Sequence, residues 1–439
     1  MIRPIKPKDR ETIIQSLRSG VVPRAGLHHI QVGRSNELRS FVKNIETIAE
    51  GGASFRFVIG DYGSGKTFFL SMVRSVALEK GLVVMNSDLS PFKRIVGSGG
   101  KSRSLLADLI SSMSTRSKQD GYALRNVLER FIMSIQDGSS MTTAEKISEE
   151  LKELNNHTCG FSFSFVVRQY WEGFQTGNDT LMTNALKWLM AGYNSKVDAY
   201  RDLGVRDIIS DTSFCDTLNL FSVLVRKAGY GGLLVCLDEL VNLYKIPNVT
   251  ARKSNYEEIL YMLNNTLQGS FSGMGFILSG TPEFIFDERR GLYSYEALRS
   301  RLADNSFASQ MGLTDYMSTV LKLSNLTQEE LYVLLKNLRH VFASGDRAKY
   351  LVPDDALIAF MRHCEKKIGE SYFRTPRSTI KGFLDMLSII EQYPTFSWQD
   401  ILEKVEIEED IEMSGLGQEM SSSALDDIST DEVFASFRI

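Results

Sequence analysis

FRFVIGDYGSGKTFFL, residues 55–70, is the stretch that decides the fold. FRFVI, residues 55–59, is a short run rich in β-forming side chains, closed by a glycine-rich turn. Gly60-Asp61-Tyr62-Gly63-Ser64-Gly65-Lys66-Thr67 then satisfies G-x-x-x-x-G-K-[ST] at every fixed position. The glycines let the backbone curl until successive N–H groups point inward, a concavity suited to phosphate. A helix starting near Lys66 aims the positive end of its dipole at the same place. Lys66 offers a mobile ammonium to the β and γ phosphates of a nucleotide, and the Thr67 hydroxyl suits Mg²⁺. The apolar stretch FFLSMVRSVAL follows, and its first residue, Phe68, is grouped with the loop among the nucleotide-binding positions. The expected ligands are ATP and Mg²⁺. A glycine-rich turn with no nucleotide is the competing reading, and the strand before it and the helix after it argue against that.

Working outward, residues 66–80 read as a helix and LVVMN (82–86) as a second buried strand. Strand, glycine-rich loop, helix, strand is the βαβ pattern of a parallel sheet. Residues 9–19 read as a short amphipathic helix, and 35–50 as another with Ser35 as its cap. From about 104 to 228 apolar residues recur at helical spacing, as in YALRNVLERFIMSIQ (122–136). GLLVCLDEL (232–240) and MGFILSG (274–280) return to buried strand, with a helix over 254–268 between them. After about 307 the pattern is mostly helical to about 404. The fold class expected is α/β: a P-loop parallel sheet core with a large helical insertion and a C-terminal helical lid domain. The corresponding divisions are 1–34 (N-terminal helix and linker), 35–305 (core, insertion about 104–228), 306–405 (helical lid or winged-helix-like region) and 406–439. The last is acidic, rich in Ser, Met and Gly, and read as a mobile tail; its end, DEVFASFRI, is apolar enough to dock on a partner or on the chain.

Composition narrows the function class. The 439 residues suffice for two or three domains, and 43% hydrophobic with 24% charged residues is ordinary for a soluble globular protein. The four cysteines form no CxxC pair, and with five scattered histidines they give no metal signature, so reduced buried thiols are expected. A net charge of −4 lacks the footprint of a strongly basic nucleic-acid binder and leaves room for a local basic surface. The first residues are polar, with no secretory h-region, and no apolar run approaches the ~20 residues of a membrane span. The cytoplasm is the expected location, with no membrane partner.

A P-loop protein that hydrolyses its nucleotide needs an acid at the end of a neighbouring strand. Leu233-Leu234-Val235-Cys236-Leu237-Asp238-Glu239 supplies two at a C-terminal strand edge, where ligands gather in such sheets. Asp238 is assigned to Mg²⁺ through water and Glu239 to the attacking water; the plainer alternative is a helix that begins with acids. Lys66 and Asp238 lie about 170 residues apart. One strand and its crossovers need only about 50–60 residues, so roughly a hundred are inserted.

Further polar groups follow. FILSGTPEF (276–284) ends a strand in Ser279, Gly280 and Thr281; Ser279 or Thr281 can meet the γ-phosphate or its water, unless this is an ordinary turn. In YEALRSRL (295–302), Arg299 and Arg301 point in different directions on a helix; either can serve as an arginine finger in a neighbouring subunit or simply be solvated. Arg374-Thr375-Pro376-Arg377 precedes a helix with Pro376 in its first turn and Thr375 as cap, and Arg377 or Arg374 can swing onto the phosphates. PFKRIVGSGGKSR (91–103) holds Lys93, Arg94, Lys101 and Arg103 among glycines. It reads as a solvated loop or as a basic loop that follows a DNA backbone in a channel.

Together these motifs resemble the AAA+ superfamily and, within it, the origin-recognition (Cdc6-like) branch. Val32, Gly33, Arg34, Glu37 and Leu38 form a VGR-x-x-EL segment similar to the one that packs on adenine in that branch. More narrowly, GVVPRAGLHHIQVGR, the P-loop stretch, SDLSP, LLVCLDEL, SGTPEF, YEALRSRL and RTPRSTIKGFL resemble the ATP-binding proteins of BREX-type bacteriophage-defence loci, over about residues 20–390. The resemblance implies Walker A at Lys66 and Thr67 and Walker B at Asp238 and Glu239. It implies sensor 1 at Ser279 or Thr281, a position often held by Asn. It implies a finger at Arg299 or Arg301 and sensor 2 at Arg377 or Arg374. It also implies a ring or helical homo-oligomer with composite sites, action on DNA, and protein partners from the same defence locus. The expected activity is ATP hydrolysis; the alternatives are a nucleotide-gated assembly switch or an adaptor with little turnover.

Overall fold

A computed structural model describes residues 5–23, 25–136, 141–368, 376–402 and 404. The tail from Glu406, Arg374 and the proposed Thr375 cap lie outside these residues.

Five parallel strands form one sheet in the order β2-β3-β4-β1-β5. They are β1 (Ala53–Ile59), β2 (Val83–Asp88), β3 (Leu233–Asp238), β4 (Met274–Gly280) and β5 (Val320–Lys322). The central strands are apolar at nearly every position because both faces are covered. On one face Val58, Val84, Cys236 and Ile277 pack against the helices Ser35–Ala49 and Lys66–Glu79. On the other, Phe57, Met85, Val235 and Phe276 join a larger core. That core continues into the insertion, whose helices run from Lys101 to Lys227 and bury Phe163, Trp188 and Phe221 against one another. The insertion is therefore built onto the sheet face through a shared core.

Several expectations need correcting. Ser35 is the first residue of its helix and not the cap; Arg34 holds the cap position in the left-handed region (φ 63°). The second strand runs two residues past Asn86, to Asp88. β3, which carries the acids, is separated from the P-loop strand β1 by β4. The sheet takes its fifth strand from Val320–Lys322, beyond residue 305 and inside a region read as helical. Lys101 and Arg103 lie in the first turn of the helix Lys101–Ser111, so the basic stretch is only partly a loop. The four cysteines are unpaired; Cys215, Cys236 and Cys364 are buried and Cys159 is half-buried.

After β5, the helices Gln328–Phe342, Asp354–Ile368, Pro376–Gln392 and Trp398–Leu402 form a bundle, and no strand follows Lys322 among the described residues. The N-terminal helix Pro7–Arg18 is a member of this bundle. Ile13 and Ile14 pack with Leu335, Leu338, Phe383 and Leu387. Arg10 donates to the Phe342 carbonyl (2.7 Å), and Arg18 pairs with Asp385 (2.7 Å). The chain thus starts in the bundle, crosses to the sheet, and returns to the bundle.

This packing makes a stability prediction. Ile13 is fully buried between the N-terminal helix and the bundle. Ile13→Ala should destabilise the protein by about 2–4 kcal/mol, whereas Ile389→Ala on the outer face should change it by about 0.5 kcal/mol or less. Thermal melts of the two variants against the parent check the difference.

Candidate functional site

Main-chain geometry comes first. Gly63 (φ 80°) and Gly65 (φ 86°) turn the 60–67 loop through left-handed conformations that side-chain-bearing residues resist. At Gly60 a Cβ would run into the Ser64 hydroxyl and lie 3.1 Å from the Leu323 carbonyl. Gly65 then caps the helix Lys66–Glu79, whose first N–H groups face the loop's hollow. Lys66 donates to the carbonyls of Gly60 and Asp61, both at 2.8 Å. Burial pulls its ammonium below the ordinary lysine value, while Asp238, Glu239 and Asp61 push back.

The acids converge on this loop across β4. Thr67 Oγ1 donates to Asp238 Oδ2 at 2.9 Å, so the first turn of the P-loop helix is fastened to the end of β3. Asp238 is buried, and its other oxygen accepts the Glu239 N–H at 2.8 Å. Glu239 lines the same cleft as Lys66 and Thr67. Its carboxyl is pushed up, first by desolvation and then by Asp238. Asp88, opposite Asp238 in the β2–β3 register, is pushed up by desolvation and by the charges of Asp238 and Asp108. The sequence reading missed Asp88 because it ended the strand at Asn86.

The donor set fits ATP with Mg²⁺. The loop's N–H groups and Lys66 suit phosphate, and four carboxylates, Asp238, Glu239, Asp61 and Glu283, act on the Lys66 ammonium, an excess of negative charge that a divalent cation would relieve. Ser64 Oγ and Ser279 Oγ are buried without a hydrogen-bond partner. Among the described residues no cluster of three His, Cys, Asp or Glu side chains can hold a metal by itself. Mg²⁺ keeps water and phosphate oxygens and takes few protein ligands; Thr67 and Asp238 are the residues that could hold it here.

Next to the loop is a cavity of about 260 Å³, lined by Tyr62 to Phe69, Glu239, and apolar side chains from both ends of the chain. Leu17, Val21, Val22, Ile30 and Val32 come from the N-terminal segment, and Leu326, Leu334 and Ile380 from the bundle. These walls suit a flat purine. Only Val32 among them was singled out from sequence; the others are ordinary apolar residues whose convergence depends on chain closure. Gly33 (φ 64°) does not line the cavity, and a Cβ there would run into the Glu330 carboxylate. Arg34 reaches the Ser64 carbonyl (3.3 Å) and the Ser324 carbonyl and pairs with Glu37 (3.5 Å), tying the P-loop to the segment after β5. Phe68 packs against the bundle core.

The remaining candidates divide. Arg377 lines the cavity and donates to the Tyr62 hydroxyl at 3.2 Å. Ser279 sits on β4 next to Val58, and its carbonyl accepts the Leu240 N–H at 3.0 Å. Thr281 caps the short helix Pro282–Phe286 without a side-chain bond, away from the cavity lining. Arg299 pairs with Glu288 (2.8 Å) on the surface, and Arg301 is held by Asn264 (2.8 Å) and the Ala297 carbonyl (2.7 Å); neither lines this cleft. In the basic stretch, Lys93 pairs with Asp108 (2.8 Å) and Arg103 donates to the Tyr193 carbonyl (2.9 Å). Val96 is pinned at both main-chain atoms by Asn255 (2.9 Å each). That stretch is anchored rather than freely solvated.

Residues 5–406 match the family described as BREX system ATP-binding protein BrxC/D. No curated protein matches the chain. No helix among the described residues is long and apolar enough to cross a membrane.

The crowded carboxylates set a pH dependence. A carboxyl raised in the folded state favours folding only while protonated. That contribution is complete below the ordinary carboxylate range and is lost as pH climbs through the raised value. At neutral pH, Asp88 is therefore a net cost to the ligand-free protein. Asp88→Asn should raise the neutral-pH melting temperature by about a degree or two, solvent contact screening the effect. The gain should shrink as the pH is lowered toward the ordinary carboxylate range. Melting curves of variant and parent across that range check both sign and trend.

Proposed function

The chain belongs to the family of BREX system ATP-binding proteins BrxC/D, and from that premise we propose that it is an Mg²⁺-dependent ATPase that oligomerises and acts on or beside DNA in bacterial phage defence. The observation that carries this reading is the 2.9 Å bond from Thr67 to Asp238, which joins a phosphate loop to an acid strand beside Glu239. Lys66, now resting on two carbonyls, exchanges them for β and γ phosphate oxygens when ATP enters. Thr67 and Asp238 would hold Mg²⁺, which would offset the phosphate charge. Glu239 orients and deprotonates the attacking water. Ser279 is the better sensor-1 candidate, because its buried hydroxyl lacks a partner and it stands beside Val58 of the P-loop strand; neither Ser279 nor Thr281 lines the cavity itself. Arg377 follows the nucleotide from the bundle side. Arg299 or Arg301 of a second copy completes the site across a subunit boundary. Partners come from the same defence locus, and the stretch Lys93, Arg94, Lys101 and Arg103 is the candidate DNA contact. The AAA+ assignment within the origin-recognition (Cdc6-like) branch is part of the same proposal, supported by the motif set and the strand order.

A second reading, a nucleotide-gated switch or adaptor with little turnover, is favoured by one feature. The base pocket is lined by both the sheet core and the bundle, so a bound nucleotide would touch both.

Lys66→Ala should abolish ATP binding, and Glu239→Gln should keep binding while lowering turnover by about 100-fold or more. Equal hydrolysis by Glu239→Gln would remove its assigned role. Turnover stimulated by DNA supports the first reading. A change of assembly size with a slowly hydrolysed ATP analogue, without appreciable turnover, supports the second.

A further inference from the structure

We propose that Asn242 is a positioning residue for Glu239, clamping the main chain that carries the water-activating carboxylate to the end of β2; this rests on the hydrolytic role given to Glu239. Glu239 is in the left-handed region (φ 59°), a conformation that a side-chain-bearing residue occupies only when its surroundings impose it. What imposes it is a small set of hydrogen bonds. On one side, the Glu239 N–H is held by Asp238 Oδ1 at 2.8 Å. On the other, the Glu239 carbonyl accepts both the Asn242 N–H (3.0 Å) and the Asn242 Nδ2 amide (3.2 Å). The second hydrogen of that amide goes to the Leu89 carbonyl at 2.9 Å.

The bond to Leu89 separates this arrangement from an ordinary turn. Leu89 follows Asp88 at the end of β2, and its own N–H donates to the Asp238 carbonyl at 3.0 Å. The ends of β2 and β3 are thus laced twice, once through main chain and once through the Asn242 side chain. Both lacings bracket the peptide that aims Glu239. A side chain serving only the turn would need the Glu239 carbonyl alone.

The amide supplies two N–H donors to two carbonyls. Asp in its place keeps the shape and removes both donors. Loss of the clamp frees the Glu239 peptide to leave its left-handed conformation, and the carboxylate then swings from the cleft. A base displaced by about an ångström loses up to about 100-fold in rate, while groups that only bind phosphate are untouched.

The test uses the full chain with Asn242→Ala and Asn242→Asp, beside the parent and Glu239→Gln. Turnover, affinity for Mg²⁺–ATP, melting temperature and amide hydrogen exchange over residues 238–243 are measured on each. The expected result is a fall in kcat of about tenfold in both Asn242 variants, affinity held within about twofold, and exchange at 238–243 faster by about tenfold. Unchanged kcat overturns the proposal. So does a kcat that falls only in step with affinity and melting temperature, as general damage would produce. A parent enzyme whose turnover is insensitive to Glu239→Gln removes the hydrolytic role beneath the proposal instead. In that event exchange alone judges the clamp, and unchanged exchange at 238–243 overturns it.

Discussion

The hydrogen bond from Thr67 to Asp238 is the contact on which the site depends. It spans β4, the strand between the P-loop strand and the acid strand, and joins the start of one helix to the end of β3. Neither group has much freedom. Thr67 is the second residue of a helix whose start is fixed by left-handed glycines, and Asp238 is buried at the last position of an apolar strand. A buried carboxylate costs folding energy unless it is paired. Here that cost is met by a hydroxyl and a main-chain N–H, which leave Asp238 oriented toward the phosphate loop.

The rest of the cleft is closed by chain topology. The N-terminal helix is packed into the C-terminal bundle, so the segment from Leu17 to Val32 must pass between bundle and sheet on its way to the helix Ser35–Ala49. That passage supplies one wall of the cavity beside the P-loop, and the bundle residues Leu326, Leu334 and Ile380 supply another. Tyr62 of the P-loop meets Arg377 of the bundle in the same cleft. Any shift of the bundle therefore moves both walls and Arg377 together.

How much of this was legible in the sequence depended on whether local chemistry or long-range closure set the feature. β1, β2, β3 and β4 were legible because burial on both faces leaves continuous apolar runs, and each run ends where the polar chemistry begins. The P-loop was legible because its glycine positions follow from backbone conformation alone. β5 was not, since three residues carry no periodicity. The Ser35 cap failed because Arg34, left-handed and bonded to the Ser64 and Ser324 carbonyls, holds the cap position, and the second of those contacts spans almost three hundred residues. Asp88 obeyed the same strand-end logic as Asp238 and was lost only by a misplaced strand boundary. The cavity walls carried no local signal, because Leu334 or Ile380 differs from any other apolar residue of an amphipathic helix only in what it faces.

The most direct test of the central claim is a double-mutant cycle on Mg²⁺–ATP binding by calorimetry, using Thr67→Ala, Asp238→Asn and the pair. If the two side chains act as one metal-holding unit, their effects are non-additive, with a coupling of at least about 1 kcal/mol. Losses that simply add, to within about 0.5 kcal/mol, would contradict the account.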